Sequence, residues 1–271
     1  MLRLIDDPDE AVYTAVFEQI KAIGPAALSA CIDLMRTTKD PLVRARLEVI
    51  VTVLKQLPLE QLVTLIRSHQ ASGKDIDLEL AVSLLDRFSD PLSDERQVSA
   101  YLDALALKVH EEFIAMSPAI DLTHLLSMHS VLYEEEGLQG AFKDYYDPRN
   151  NNIFNVIERK VGSPIALSVI ELLLADRVGL ELKGIGLPAH FILYSPALDV
   201  YIDPFHHGRF LSLPDLEPSN ELLKPTSNIY IIMRMMRNLE RSFQRRNAEL
   251  EAHALHDALK TLEHSPSNDP S

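Results

Sequence analysis

The chain has 271 residues, 46% of them hydrophobic, with 40 Asp and Glu against 26 Lys and Arg and a formal net charge of −14. That length buries one large core or two smaller ones. The acidic balance repels phosphate backbones and anionic membranes, so neither nucleic acid nor a membrane is expected as a partner. Cys31 is the only cysteine, which excludes an internal disulfide and a cysteine-based metal site and fits a reducing cytoplasm. Residues 1–7 turn acidic before any long apolar run, so no secretory leader is expected, and charges break the apolar stretches short of the ~18 residues of a membrane span.

The first ninety residues read as helix pairs. Val12, Val16, Ile20 and Ile23 recur at helical spacing until Gly24-Pro25 breaks the pattern, and Ala27, Cys31, Leu34 and Met35 form the next stripe. Asp7-Pro8 and Asp40-Pro41 each place a capping acceptor before a proline at a helix start, and their separation suits HEAT-type repeats. Helices are predicted over 75–88, 97–115 and 123–135, the second with Leu102, Leu105, Ala106, Val109 and Phe113 inward. The turn chemistry of Ser89-Asp90-Pro91-Leu92-Ser93-Asp94 marks a candidate boundary.

Residues 137–152, with Gly137, Gly140, Tyr145, Tyr146, Asp147, Pro148, Arg149 and three consecutive asparagines, fit no amphipathic element and read as a structured loop before a short helix over 153–159. Ser163 is a good N-cap and Pro164 a good first helical residue. The helix they open carries Ile165, Leu167, Val169, Ile170, Leu172, Leu173 and Leu174, apolar nearly all round, and so belongs at the centre of a domain; Gly179 ends it. Residues 182–187, 190–194 and 200–203 are β-like, with a hairpin turn at Ser195-Pro196-Ala197. Residues 228–263 are helical again, and 265–271 form a polar tail expected to be disordered. The fold class is α+β, mostly helical, with a central helix packed on a small antiparallel sheet.

Four ordered motifs carry a family resemblance: Asp144-Tyr145-Tyr146-Asp147-Pro148-Arg149-Asn150, Gly162-Ser163-Pro164-Ile165-Ala166-Leu167-Ser168, Gly186-Leu187-Pro188-Ala189-His190-Phe191 and Ile202-Asp203-Pro204-Phe205. Together they resemble the SirB1 family, a branch of the transglutaminase-like superfamily. Leu223-Lys224-Pro225 and 233–239 are similar to that family's helical extension, which leads into tetratricopeptide-like helices. Two departures stand out. Ala189 replaces the usual glycine before the histidine, and His206-His207-Gly208 replaces an asparagine followed by glycines.

The resemblance implies a Cys-His-Asp site in which a cysteine at a helix N-terminus is activated by the helix dipole and an imidazole, itself held by an aspartate. Placed on that pattern, His190 and Asp203 are present and Pro164 occupies the cysteine's slot. Proline carries no nucleophile. Ser163 is the nearest hydroxyl and, one residue from the slot, is expected to cap its helix. His190 and Asp203 are expected to pair, fixing strand register while lining a cleft. Asp147, Arg149 and Asn150, with Tyr146 and Pro164, are the candidate binding residues, although Asp-Pro and Asn side chains also build turns. His253 and His256, three residues apart on a helix with Asp257 beside them, have metal-compatible spacing but no further ligand in view, and no metal or other cofactor is expected.

The expected organisation is a helical region over 1–90, a transglutaminase-like core over 91–220 and a helical extension over 221–264. The expected function is that of a non-catalytic protein-interaction or ligand-binding module with a protein partner. The competing expectation is a hydrolase or acyltransferase using Ser163 with His190 and Asp203.

Overall fold

The computed structural model describes residues 2–116, 120–211 and 223–264. The tail at 265–271, the 220/221 boundary and the Phe113 side chain lie outside the described residues. Helices α1 (Glu10–Ile23), α2 (Leu28–Thr37), α3 (Pro41–Ser72), α4 (Leu78–Ser89), α5 (Glu95–Met116) and α6 (Ile120–His129) come first, the last running on as a π-helical segment over Ser130–Glu135. There follow β1 (Gln139–Gly140), α7 (Ile153–Arg159), β2 (Val161–Gly162), α8 (Pro164–Val178), β3 (Lys183–Leu187), β4 (His190–Ser195), β5 (Val200–Asp203), β6 (Arg209–Leu211), α9 (Asn228–Arg245) and α10 (Glu249–Glu263). The protein is a mostly helical α+β fold.

Capping side chains set most helix starts. Asp40 accepts the Leu42 N–H at 2.8 Å ahead of Pro41, and Asp77 accepts that of Leu80 at 2.8 Å. Asp7 does not cap a helix as its Asp-Pro motif predicted. It accepts the Asp9 N–H, and Asp9 is the cap of α1, so one of the two HEAT-like starts is displaced. Helix α3 runs unbroken through Pro58. Leu47, Ile50, Val51 and Leu54 pack in a core with α1 and α2, whereas Leu59, Leu62 and Ile66 belong to the main core. The two cores therefore meet inside α3 rather than at 89–94. By length and composition alone α3 could cross a membrane; Leu47, Ile50, Leu54, Leu62 and Ile66 are buried in these two cores, whereas Leu42 and Val49 on the same helix are exposed.

Helix α8 is the centre of the main core, with Ile165, Ala166, Val169, Ile170 and Leu174 all essentially inaccessible. It packs against α5 and β4. Arg177 near its end reaches Asp103 on α5 at 2.7 Å and Glu79 on α4 at 2.8 Å. The α7 start is held from outside by Asp86, whose two side-chain oxygens accept the Ile153 and Phe154 N–H groups at 3.0 and 2.9 Å. Burial pushes the Asp86 carboxyl up to about 7 against those two bonds.

The sheet is antiparallel in the order β3-β4-β5-β6, with Leu187 opposite His190 and Asp203 opposite Arg209. Strand β6 was not predicted, because three residues after a turn are too short to display alternation. Between β3 and β4 lies a two-residue turn, Pro188-Ala189, and Ala189 sits at φ 55, in the left-handed region. This explains why a glycine suits that position: only a residue without Cβ adopts it freely.

Two stability predictions follow from this geometry. Ala189→Gly should relieve the turn and raise stability by up to about 1 kcal/mol, read as a higher denaturant midpoint; a lower midpoint would refute the strain. Asp86 holds its proton to about pH 7 when folded and releases it near pH 4 when unfolded, so the folded state binds the extra proton between those limits. The contribution of Asp86 to stability should therefore fall as pH rises from about 4 to about 7 and then level off, by an amount on the order of a few kcal/mol. Denaturation at several pH values should show the stability difference between the unsubstituted protein and Asp86→Asn shifting against the former over that range.

Candidate functional site

The site is assembled at the start of α8. Ser163 has extended backbone, φ −71 and ψ 163, and its Oγ accepts the Ala166 N–H at 3.3 Å. The same hydroxyl donates to Asn151 Oδ1 at 2.8 Å. Both hydrogen-bonding capacities of Ser163 are thus engaged away from His190. Pro164 occupies the first helical position, where its missing N–H leaves nothing unsatisfied.

The 144–152 loop wraps this helix start. Asn150 accepts the Ser163 N–H through its carbonyl at 2.8 Å and donates its side-chain amide to the carbonyls of Asp144 and Tyr145. Asn152 caps α7 through the Asn155 N–H at 2.8 Å and donates to the Asp86 carbonyl. Asp147 is buried and accepts from the Arg149 backbone N–H, Nε and Nη2, the last at 2.7 Å. Burial raises the Asp147 carboxyl, but the bonds and charge of Arg149 outweigh it and hold the group below its usual range.

His190 opens β4 and Asp203 closes β5. Their side chains meet at 2.9 Å, Nε2 to Oδ2. His206 Nδ1 reaches the same oxygen at 2.7 Å, and Asp203 Oδ1 accepts the Phe205 N–H at 3.1 Å. Burial raises the Asp203 carboxyl, but His190, then His206, outweigh it and lower it. The contribution of this pairing is therefore full above the ordinary carboxylate range and lost as pH falls through it.

A cleft of about 360 Å³ lies between this assembly and α9. Tyr146, Ser163, Pro164 and His190 line it, together with Tyr145, Tyr230, Arg234 and Arg241. Asp203 stands behind His190 rather than on the wall; Asp147 and Asn150 hold the loop from within, and Arg149 pairs with Asp147 from the exposed side, so none of the three lines the cleft.

Sequence reasoning missed three parts of this region. Arg234, on α9, donates to the Leu187 and His190 carbonyls at 2.6 Å each and so clamps the β3–β4 turn; the spacing of Arg234, Arg237 and Arg241 on one helix face was the available signal. His206 joins Asp203 because three residues of 3-10 turn bring it back. Glu171, a lone carboxylate in the apolar run of α8, is fully buried and held by His129 at 2.8 Å and by the Tyr133 hydroxyl. Burial, followed by the Glu171 charge, pushes the Tyr133 hydroxyl well up.

His190, Asp203 and His206 also offer three ligand atoms within 4.8 Å of one another, which a divalent cation could reach only by displacing the protons shared with Asp203. His253 and His256, the pair weighed from sequence, face different carboxylates, Asp257 at 3.3 Å and Glu240 at 3.0 Å.

A family model described as Transglutaminase-like superfamily matches residues 96–237, from α5 into α9. Two proteins named UPF0162 protein from Xylella fastidiosa strains are similar to the chain. One is 30% identical over 167 residues, covering 55% of this chain and 57% of the relative. The other is 29% identical over 204 residues, covering 67% and 70%. Human F-box only protein 21 is 28% identical over 163 residues, 49% of this chain but 26% of that protein. No solved structure matches the chain.

Because His190 and His206 share one carboxylate oxygen, their contributions should not add. Each single substitution to alanine should cost about 1 kcal/mol, since the other ring stays bound. The double variant should cost more than the sum, as Oδ2 is then left buried and unpaired, a penalty of about 1–3 kcal/mol. Additive denaturation midpoints would mean that the two rings act independently.

Proposed function

We propose that this chain, which belongs to the transglutaminase-like superfamily, works without a nucleophile, as a cleft that binds a ligand or a segment of a partner protein. One observation carries the reading: the first position of α8, where the superfamily pattern places cysteine, is Pro164, and the neighbouring Ser163 has spent its hydroxyl on Ala166 and Asn151. Cys31 offers no substitute. It is buried in the core formed by α1, α2 and the first half of α3, and burial raises its thiol, which disfavours the reactive thiolate.

What remains around the helix start is the architecture of a binding site. His190 stays paired with Asp203 and faces a cleft large enough for a small molecule or a few residues of a peptide. The helices on either side, α1 to α4 and α9 with α10, add surface for a partner protein. A reducing cytoplasm suits the single thiol. For Ser163 to act as nucleophile in a hydrolase or acyltransferase, its hydroxyl would have to abandon both its bonds and turn to His190.

Two measurements test this. Incubation with ester and amide libraries should give no turnover above buffer; turnover that disappears in His190→Ala would establish the enzymatic alternative. Pro164→Cys should place a thiol at a helix N-terminus beside an imidazole, so it should be alkylated by iodoacetamide faster at pH 7 than an ordinary thiol, and more slowly once His190→Ala is added. Cys31, being buried, should stay unreactive. An unremarkable alkylation rate would mean that the cleft is not the remnant of a cysteine site.

A further inference from the structure

Arg234, Arg237, Arg241 and Arg245 follow one another along α9 at intervals of three and four residues and so share a helix face. The first three line the cleft. Arg237 pairs with Glu263 at 2.8 Å, and Arg245 lies over the Tyr146 ring at 5.0 Å. Arg234, half-buried, bonds only to carbonyl oxygens and lies over the Phe191 ring at 5.6 Å, and Arg241 makes no hydrogen bond or ion pair among the described residues. In a chain where acidic residues outnumber basic ones 40 to 26, two guanidinium groups facing one cavity without a carboxylate are a local reversal of sign. The Tyr145 hydroxyl registers both charges: burial and Tyr146 raise it, while Arg234 and Arg241 pull it down.

We propose that the cleft binds a carboxylate group, clamped between Arg234 and Arg241, on a ligand whose body packs against Tyr146, Tyr230 and Pro188. The inference rests on the reading of this cleft as a binding site and names what it binds. Guanidinium groups suit a planar carboxylate because their N–H groups can meet both oxygens. A phosphate would call on the amide N–H groups at the start of α8, but Pro164 has none, the Ala166 and Leu167 N–H groups are taken by Ser163, and only that of Ile165 is left. The cavity, about 360 Å³, is much larger than one carboxylate requires, so the group must be carried on something larger. An acidic side chain on a partner peptide and a free dicarboxylate share this chemistry.

The full chain, isotopically labelled, is titrated at low salt with four probes. These are blocked hexapeptides carrying Asp or Glu at the third position, the matched Asn or Gln peptides, glutarate and inorganic phosphate. Acidic peptides or glutarate should shift the Tyr146 and His190 resonances, with the amide peptides weaker by about tenfold or more. Arg241→Gln should abolish that preference without moving the thermal midpoint, since this side chain is exposed and unpaired; Arg241→Glu should do so more strongly. A response to the acidic peptides assigns the carboxylate to a partner chain, and a response to glutarate alone assigns it to a small molecule. Equal binding of acidic and amide peptides, equal binding of phosphate, or an unchanged preference in Arg241→Gln overturns the inference and leaves the cleft standing as a site. Silence of the cleft to all four probes overturns both.

Discussion

A helix with no polar face cannot lie on a surface, and α8 makes the chain solve that problem before any other. Ile165, Leu167, Ser168, Ile170, Glu171 and Leu173 are all buried and point in every direction around its axis, so α5 and the sheet must close on it together. The single carboxylate in the run, Glu171, shows how strict the enclosure is. It is tolerated because His129 and Tyr133 reach in to satisfy it. The enclosure opens at the helix start, where a loop rather than another helix provides the covering. The cleft is the place where the packing of α8 gives way to loop 144–152 and the β3–β4 turn.

The loop earns its order from polar side chains that look, in sequence, like the equipment of a site. Asp147, Asn150 and Asn152 each complete several internal hydrogen bonds, and Arg149 answers Asp147. Such groups fix the position of the helix start and the strand carrying His190, while the cleft wall itself is built from tyrosine, proline and arginine. Net charge describes the average surface and is silent about such a pocket. At the Debye length of physiological salt, about 8 Å, a few guanidinium groups set the local field on their own.

What could be read from the residues followed the range of the signal. The Ser163 cap, helix α7, the all-apolar α8 and the three longer strands are written in neighbouring residues, and they stand in the structure within a residue or two of their expected bounds. Features that depend on distant residues were not legible. The continuity of α3 through Pro58 needs two cores to support it, and Asp9 displaces Asp7 as a cap because the preceding turn packs Ile5 inward and binds Arg46. His206 joined the His190–Asp203 pair only once a short 3-10 turn folded it back, and the neighbours of Glu171 lie on another helix altogether. The four motifs behind the family resemblance converge for the same reason: each is local, and the sheet and α8 bring them together.

Helix α3 has a further consequence, for how the molecule could be divided. Leu59, Leu62 and Ile66 pack with Val82, Leu85 and Phe88 and with the apolar residues of α5, all within the main core. A cut anywhere between α4 and α5 would strip a wall from that core and expose the greasy underside of the portion left behind. The natural seam runs across a single continuous rod, at Leu54 to Leu59, so the amino-terminal bundle is less an appended module than a handle whose shaft is also a beam of the house.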